Sequence, residues 1–233
     1  MNIDDRGVSA IILFGSRARG DNSRGSDTDL LLVNPTGSAQ HKSIGHLSMF
    51  FYPWQKLVSG ACNGDLFVCH IVHEAKPVFD PLGQLDELKS QFRLRTSYAS
   101  EIACAVDLGW FLDRHADELN STLVVKRMVW CIRTILIAQL AEQGRPAFAP
   151  STLAKTAPSA ADILTNRHRR RLDATIRQLF RQYLLQECGC PPLPNEAKLE
   201  DYRTLFTQTE NEVGLQTIER GILKSKDDDF YYR

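Results

Sequence analysis

Four residues near the start of the chain have the types and the spacing to handle a polyphosphate: Gly15, Ser16, Asp27 and Asp29. They form the pattern Gly-Ser, ten intervening residues, Asp-x-Asp. A glycine lets the backbone turn tightly, and the following serine offers a phosphate both a hydroxyl and an amide. Two carboxylates one residue apart on a strand point to the same side, close enough to share divalent cations, which prefer oxygen donors. Together they read as a site for magnesium and a nucleoside triphosphate. Arg17, Arg19 and Arg24 lie in the intervening loop, where a guanidinium can brace a triphosphate through paired hydrogen bonds or remain a solvated loop charge.

Two elements must position these residues. The apolar run Val8 to Phe14 feeds the Gly-Ser pair, and Leu30 to Val33 leaves the Asp pair. Both are short, apolar and bounded by turn residues, as strands are. The segments Phe14-Gly-Ser-Arg-Ala-Arg-Gly20 and Ser26-Asp-Thr-Asp-Leu30 resemble the nucleotidyltransferase superfamily that includes DNA polymerase β and the minimal and aminoglycoside nucleotidyltransferases. The resemblance implies an α+β chain, with an N-terminal polymerase β-like domain built on a mixed sheet. It implies Gly15 and Ser16 on the β- and γ-phosphates, with Arg17 and Arg19 near them. It also implies Mg2+ or Mn2+ on the acids, an NTP donor (ATP), and transfer of AMP to a hydroxyl. Relatives use protein, tRNA and small-molecule acceptors, and some serve as toxins or in phage defence.

The sequence departs from the family pattern twice. Only seven residues precede Val8, so the helix that many relatives carry there is missing or replaced. The third carboxylate, which relatives hold on a later strand, has two candidate positions. If Leu47 to Tyr52 is that strand, its inward polar slot holds Ser48 or His46, neither an acid. If Asp65 opens the relevant strand, the metal and catalytic set is Asp27, Asp29 and Asp65. Against that, Asn63-Gly-Asp65 before an apolar run also reads as a helix start with Asp65 as its cap. Without a third acid, the alternative to an enzyme is a weak or inactive nucleotide-binding regulatory or assembly subunit.

Composition narrows the class. The chain has 233 residues, 43% hydrophobic and 24% charged, which suits a soluble globular protein with a real core. Its 28 basic and 28 acidic residues cancel, so no global field points to nucleic acid or membrane. No signal-like N-terminus or bilayer-length apolar run is evident, and the expected location is cytoplasmic. The six cysteines are scattered through apolar segments and read as free thiols. Cys62, Cys69, His70 and His73 match no standard zinc spacing.

The remaining chain reads as helical. Punctuation at Asp80-Pro-Leu-Gly83 places a nucleotidyltransferase domain over 1–85, a helical bundle over 86–223 and a tail over 224–233. Helices are expected over Ser97 to Leu119 and Leu123 to Ala141. A short one follows, capped by Ser151, then a long one from a capping box at Ser159–Asp162 through Leu185, and a polar segment over Glu196 to Leu223. On the long one, Arg167, Arg170, Arg177 and Arg181 share a face, either following a phosphate backbone such as tRNA or pairing with acids on neighbouring helices. Glu101 and Asp107 are candidates for a general base. No Arg-x4-6-His pattern is present, which argues against ribonuclease activity.

Overall fold

The computed structural model describes residues 7–23, 25–34, 37–166 and 172–221. The chain divides into two compact units, with the division between Thr96 and Ser97.

The first unit is a five-stranded mixed sheet with four helices. Its elements are β1 (Ala10–Phe14), α1 (Gly15–Arg19), β2 (Thr28–Asn34), β3 (Gln40–Ile44), β4 (Leu47–Pro53), α2 (Trp54–Cys62), α3 (Leu66–Glu74), β5 (Lys76–Phe79) and α4 (Gln84–Gln91). The strand order is β3-β4-β2-β1-β5. β2 and β4 run parallel, and the other neighbours are antiparallel. Alternation along the strands sends Ala10, Ile12, Phe14, Leu31 and Val33 to one face, where they are buried. Leu57 and Ala61 of α2, Val68 and Ile71 of α3, and Leu85 and Leu88 of α4 close over that face. Each large apolar side chain buried there contributes about 1.5–3 kcal/mol.

α4 therefore belongs to the first unit, and the unit runs on past the 85/86 boundary expected from the turn residues. The punctuation at Pro81 and Gly83 marks a real turn, in which the Asp80 carboxylate accepts from the Gln84 and Leu85 amides at 2.8 and 2.9 Å. That turn starts another core helix of the same unit.

The second unit is helical: α5 (Ala99–His115), α6 (Ser121–Glu142), α7 (Pro150–Thr156), α8 (Ala161–Thr165), α9 (Ala174–Tyr183), α10 (Leu199–Gln208) and α11 (Glu212–Gly221). α6 is apolar on most sides and packs along α5, with Val124, Met128, Ile132, Ile135 and Leu136 buried. Asn120 caps it by accepting from the Leu123 amide at 3.1 Å. The Phe111 ring of α5 packs tilted against Tyr202 and edge-on against Phe206 of α10. Among the described residues no helix is long and apolar enough to cross a membrane.

Three local expectations are corrected. α7 starts at Pro150 after Ala149, not at a Ser151 cap, because a proline's fixed φ and missing N–H suit the first helical position. The expected helix over 159–185 is not continuous. Residues 158–160 form a 3-10 turn, α8 ends at Asn166, and Asp173 starts α9 by accepting from the Ile176 amide at 2.8 Å. Asp162 accepts from the Asn166 side chain at 2.7 Å instead of completing a capping box. Short polar side chains that bond locally to the backbone favour helix ends over interiors. The polar segment after Glu196 is likewise two helices, broken where Glu210 takes φ +51°. Residues 167–171 and 222–233, with the expected tail, lie outside the described residues, as do residues 1–6.

Candidate active site

β1 runs directly into α1, and the turn is made at Gly15, with φ +71°. A Cβ placed on Gly15 would lie 2.5 Å from Asp29 Oδ2. Only glycine tolerates both that φ and that approach, so the carboxylate of β2 sits directly against the backbone that starts α1. Ser16 follows and is 7% exposed. Its carbonyl accepts from the amides of Gly20 and Asp21, at 2.9 and 3.1 Å, which closes α1 after little more than one turn.

The loop from α1 to β2 is held by its own side chains. Arg17 Nη2 donates to the Ser26 carbonyl at 3.1 Å, and Ser26 Oγ accepts from the Ser23 amide at 2.8 Å. Asp27 then stands at the mouth of β2 with its side chain 54% exposed. Gly15, Ser16, Asp27 and Asp29 thus lie together at one end of β1 and β2. Arg24 is outside the described residues.

Arg19 is engaged within the protein. Its guanidinium bonds to Asp21 and to Glu74 of α3, and Glu74 Oε2 also lies 2.8 Å from His70 Nε2. Burial alone would lower the Arg19 pKa, but the hydrogen bonds to Glu74 and Asp21 raise it above its ordinary value. This largely buried Arg19–Glu74–His70 link ties α1 to α3, so a phosphate would compete with two carboxylates for Arg19. Sequence reading missed Glu74 and His70, although their i, i+4 spacing on a helix is a visible signal.

The strand expected to open at Asp65 is a helix. β4 is the strand beside β2, and its Ser48 is the register partner of Asp29. Asp65 instead caps α3, with Oδ1 accepting from the Val68 amide at 2.9 Å. Burial raises the pKa of Tyr52, and the charge of Asp65 adds to that effect. Among the described residues no group of three His, Cys, Asp or Glu side chains is arranged to hold a metal. Asp65 thus opens a helix and not a strand, and it satisfies a helix end that would otherwise leave amides unbonded.

Ser48 heads a polar row. Its Oγ lies 3.4 Å from Ser43 Oγ on β3, which in turn lies 3.2 Å from His41 Nε2. Beside it, in the β3–β4 turn, His46 Nδ1 approaches Asp27 Oδ1 at 3.1 Å. The His46 carbonyl accepts from the Thr28 amide at 2.7 Å, fixing the turn to the start of β2.

Two carboxylates are a fitting donor set for magnesium. That ion keeps several waters and is commonly held by one or two carboxylates plus substrate phosphates. Near Cys69, His73 Nδ1 bonds to the Cys69 carbonyl at 2.8 Å, and burial pushes the thiol up to about 12.

Residues 3–61 match the family model described as a nucleotidyltransferase domain. A nucleotidyltransferase-like protein from Exiguobacterium sibiricum is structurally similar at 17% identity, with 94% of this chain and 75% of that chain covered and a TM-score of 0.29. No curated protein matches the sequence.

In the second unit, burial raises the pKa of Asp107 on α5. Glu101 lies one and a half turns earlier on the same helix. Of the arginine stripe, Arg177 pairs with Asp117 at 3.0 Å and Arg181 with Asp113 at 3.8 Å. Arg167 and Arg170 lie outside the described residues.

Proposed function

We propose that the N-terminal unit binds a nucleoside triphosphate together with Mg2+ or Mn2+ and transfers its nucleotidyl group, AMP from ATP, to a hydroxyl. The observation that carries this reading is the close approach of Gly15 and Asp29, which sets the turn from β1 into α1 directly against a carboxylate of β2. In the reaction an acceptor oxygen attacks the α-phosphorus while pyrophosphate leaves in line. A bound cation supplies charge neutralisation to the phosphates and to the leaving oxygen. Ser16 holds the terminal phosphates through its amide and hydroxyl, Asp27 and Asp29 hold the cation, and Arg17 braces the loop between them. The acceptor is a protein, tRNA or small-molecule hydroxyl. The described part of the arginine stripe, being paired with acids, does not by itself favour tRNA.

A second reading, nucleotide binding without turnover, is favoured by one observation: Ser48 occupies the register position beside Asp29, with no acid there. Both readings are tested by incubating the protein with α-labelled ATP, CTP, GTP and UTP plus magnesium or manganese. The first expects label on an acceptor, lost by at least about 10²-fold in Asp27→Ala with Asp29→Ala. Bound nucleotide without label transfer selects the second. Transfer that persists in the double variant rejects the site altogether.

A further inference from the structure

The turn that carries Gly15 and Ser16 is braced from outside by α3. Arg19, three residues after Ser16 on α1, donates through Nε to the Asp21 carboxylate and through Nη1 to Glu74. Glu74 Oε2, the oxygen that takes Arg19, also accepts from His70 Nε2 at 2.8 Å. Asp21 gives its own backbone amide to the Ser16 carbonyl at 3.1 Å, so a continuous path of bonds runs from α3 to the peptide of Ser16. On the other flank the His70 ring meets the Phe14 ring edge-on, with centroids 5.5 Å apart, and Phe14 directly precedes Gly15.

We propose that Arg19 is a strut and not a phosphate ligand, and that Glu74, with His70 behind it, positions the phosphate-binding turn. This deepens the nucleotide reading given above and rests on it. The family resemblance implies Arg19 near the phosphates, but the internal pair is the stronger claim on its guanidinium. The Arg19, Glu74 and His70 side chains are each at most 16% exposed. Withdrawing one partner from a buried ion pair costs on the order of 10²-fold or more in an equilibrium constant. A charge-assisted hydrogen bond to phosphate returns about 10- to 10²-fold. Arg19 therefore stays on Glu74.

What the strut supplies is geometry. Ser16 sits in a helix of little more than one turn, too short to hold its place by its own hydrogen bonds. Its hydroxyl and amide keep one orientation only where α1 is fixed to something rigid. That body is α3, which is anchored in the core through Val68 and Ile71.

The test uses the full chain with Mg2+ and inorganic tripolyphosphate, followed by calorimetry, with urea unfolding to confirm that each variant is folded. Arg19→Ala and Glu74→Ala should each weaken tripolyphosphate by about tenfold, and the two together no further than either alone. Arg19→Met with Glu74→Leu replaces the ion pair by apolar packing and should bind within about threefold of the unaltered chain. That rescue separates positioning from phosphate contact, since methionine offers a phosphate no hydrogen bond. Tighter or unchanged binding in Glu74→Ala, or a folded Arg19→Met with Glu74→Leu chain as weak as Arg19→Ala, overturns the strut and leaves the site reading standing. The sign of the Glu74→Ala effect decides between strut and ligand even where the paired variant does not fold. Failure of the unaltered chain to take up tripolyphosphate, or equal uptake in Asp27→Ala with Asp29→Ala, overturns the site reading and this inference with it.

Discussion

At the scale of single residues, the site depends on what stands beside Asp29. On one side is Gly15, where any side chain would meet the carboxylate at φ +71°. Gly15→Ala is expected to cost about 1–3 kcal/mol of stability and to weaken nucleotide binding in proportion to the displacement of Asp29. Urea unfolding and calorimetric titration with ATP check both, and an unchanged variant would mean the bend is slack. On the other side is Ser48. If this register position is where an acid would activate the acceptor, Ser48→Asp should raise nucleotidyl transfer by roughly 10²-fold. A rate that stays flat while ATP binding is intact would show that the acceptor is activated elsewhere. The placement of Gly15, Ser16, Asp27 and Asp29 at one end of β1 and β2 was legible in the sequence, because motif spacing and flanking apolar runs report the same geometry twice. The engagement of Arg19 was not, because its partner Glu74 lies 55 positions away and only folding brings it close.

At the scale of elements, helix ends were the hardest to read. Asp65 could be read as a strand-borne ligand or, more readily, as a cap, since a short apolar run such as Leu66 to Cys69 carries no decisive period. Its observed role makes a plain prediction. Asp65→Ala should lower stability by about 1 kcal/mol in urea unfolding while leaving Mn2+ binding unchanged. The helix ends at Asn166 and Asp173 were missed for a related reason: both act as ends through local hydrogen bonds that a periodic count ignores. In α5, burial raises the Asp107 pKa in the folded chain. A raised folded pKa means the native state holds its proton more tightly than the unfolded chain. The stability linked to Asp107 is therefore full below the unfolded pKa and lost as pH rises through the folded one. Asp107→Asn should accordingly melt higher than the unaltered protein at pH 7. That gain should shrink as pH falls through the folded pKa and vanish below about pH 4. A melting difference independent of pH would contradict the burial explanation.

At the scale of the whole molecule, the family resemblance implied the sheet of the first half, and helical stripes showed the class of the second. Where the first unit ends was not evident. Turn residues near 81–83 look like a boundary, but Leu85 and Leu88, 1% and 0% exposed, belong to the sheet's own core. A fragment ending at Thr96 should unfold cooperatively, because its core is complete. One ending at residue 85 should be less stable by about 4 kcal/mol or more, having lost Leu88 and the rest of α4. Equal melting temperatures for the two fragments would place the boundary back at the turn. The bond between the His46 carbonyl and the Thr28 amide has a consequence at this scale as well. The hairpin of β3 and β4 is riveted to the strand that carries both acids, so it travels with them as one rigid piece and cannot swing aside to admit a guest. Discrimination among guests of different bulk then falls to parts of the polypeptide other than this hairpin.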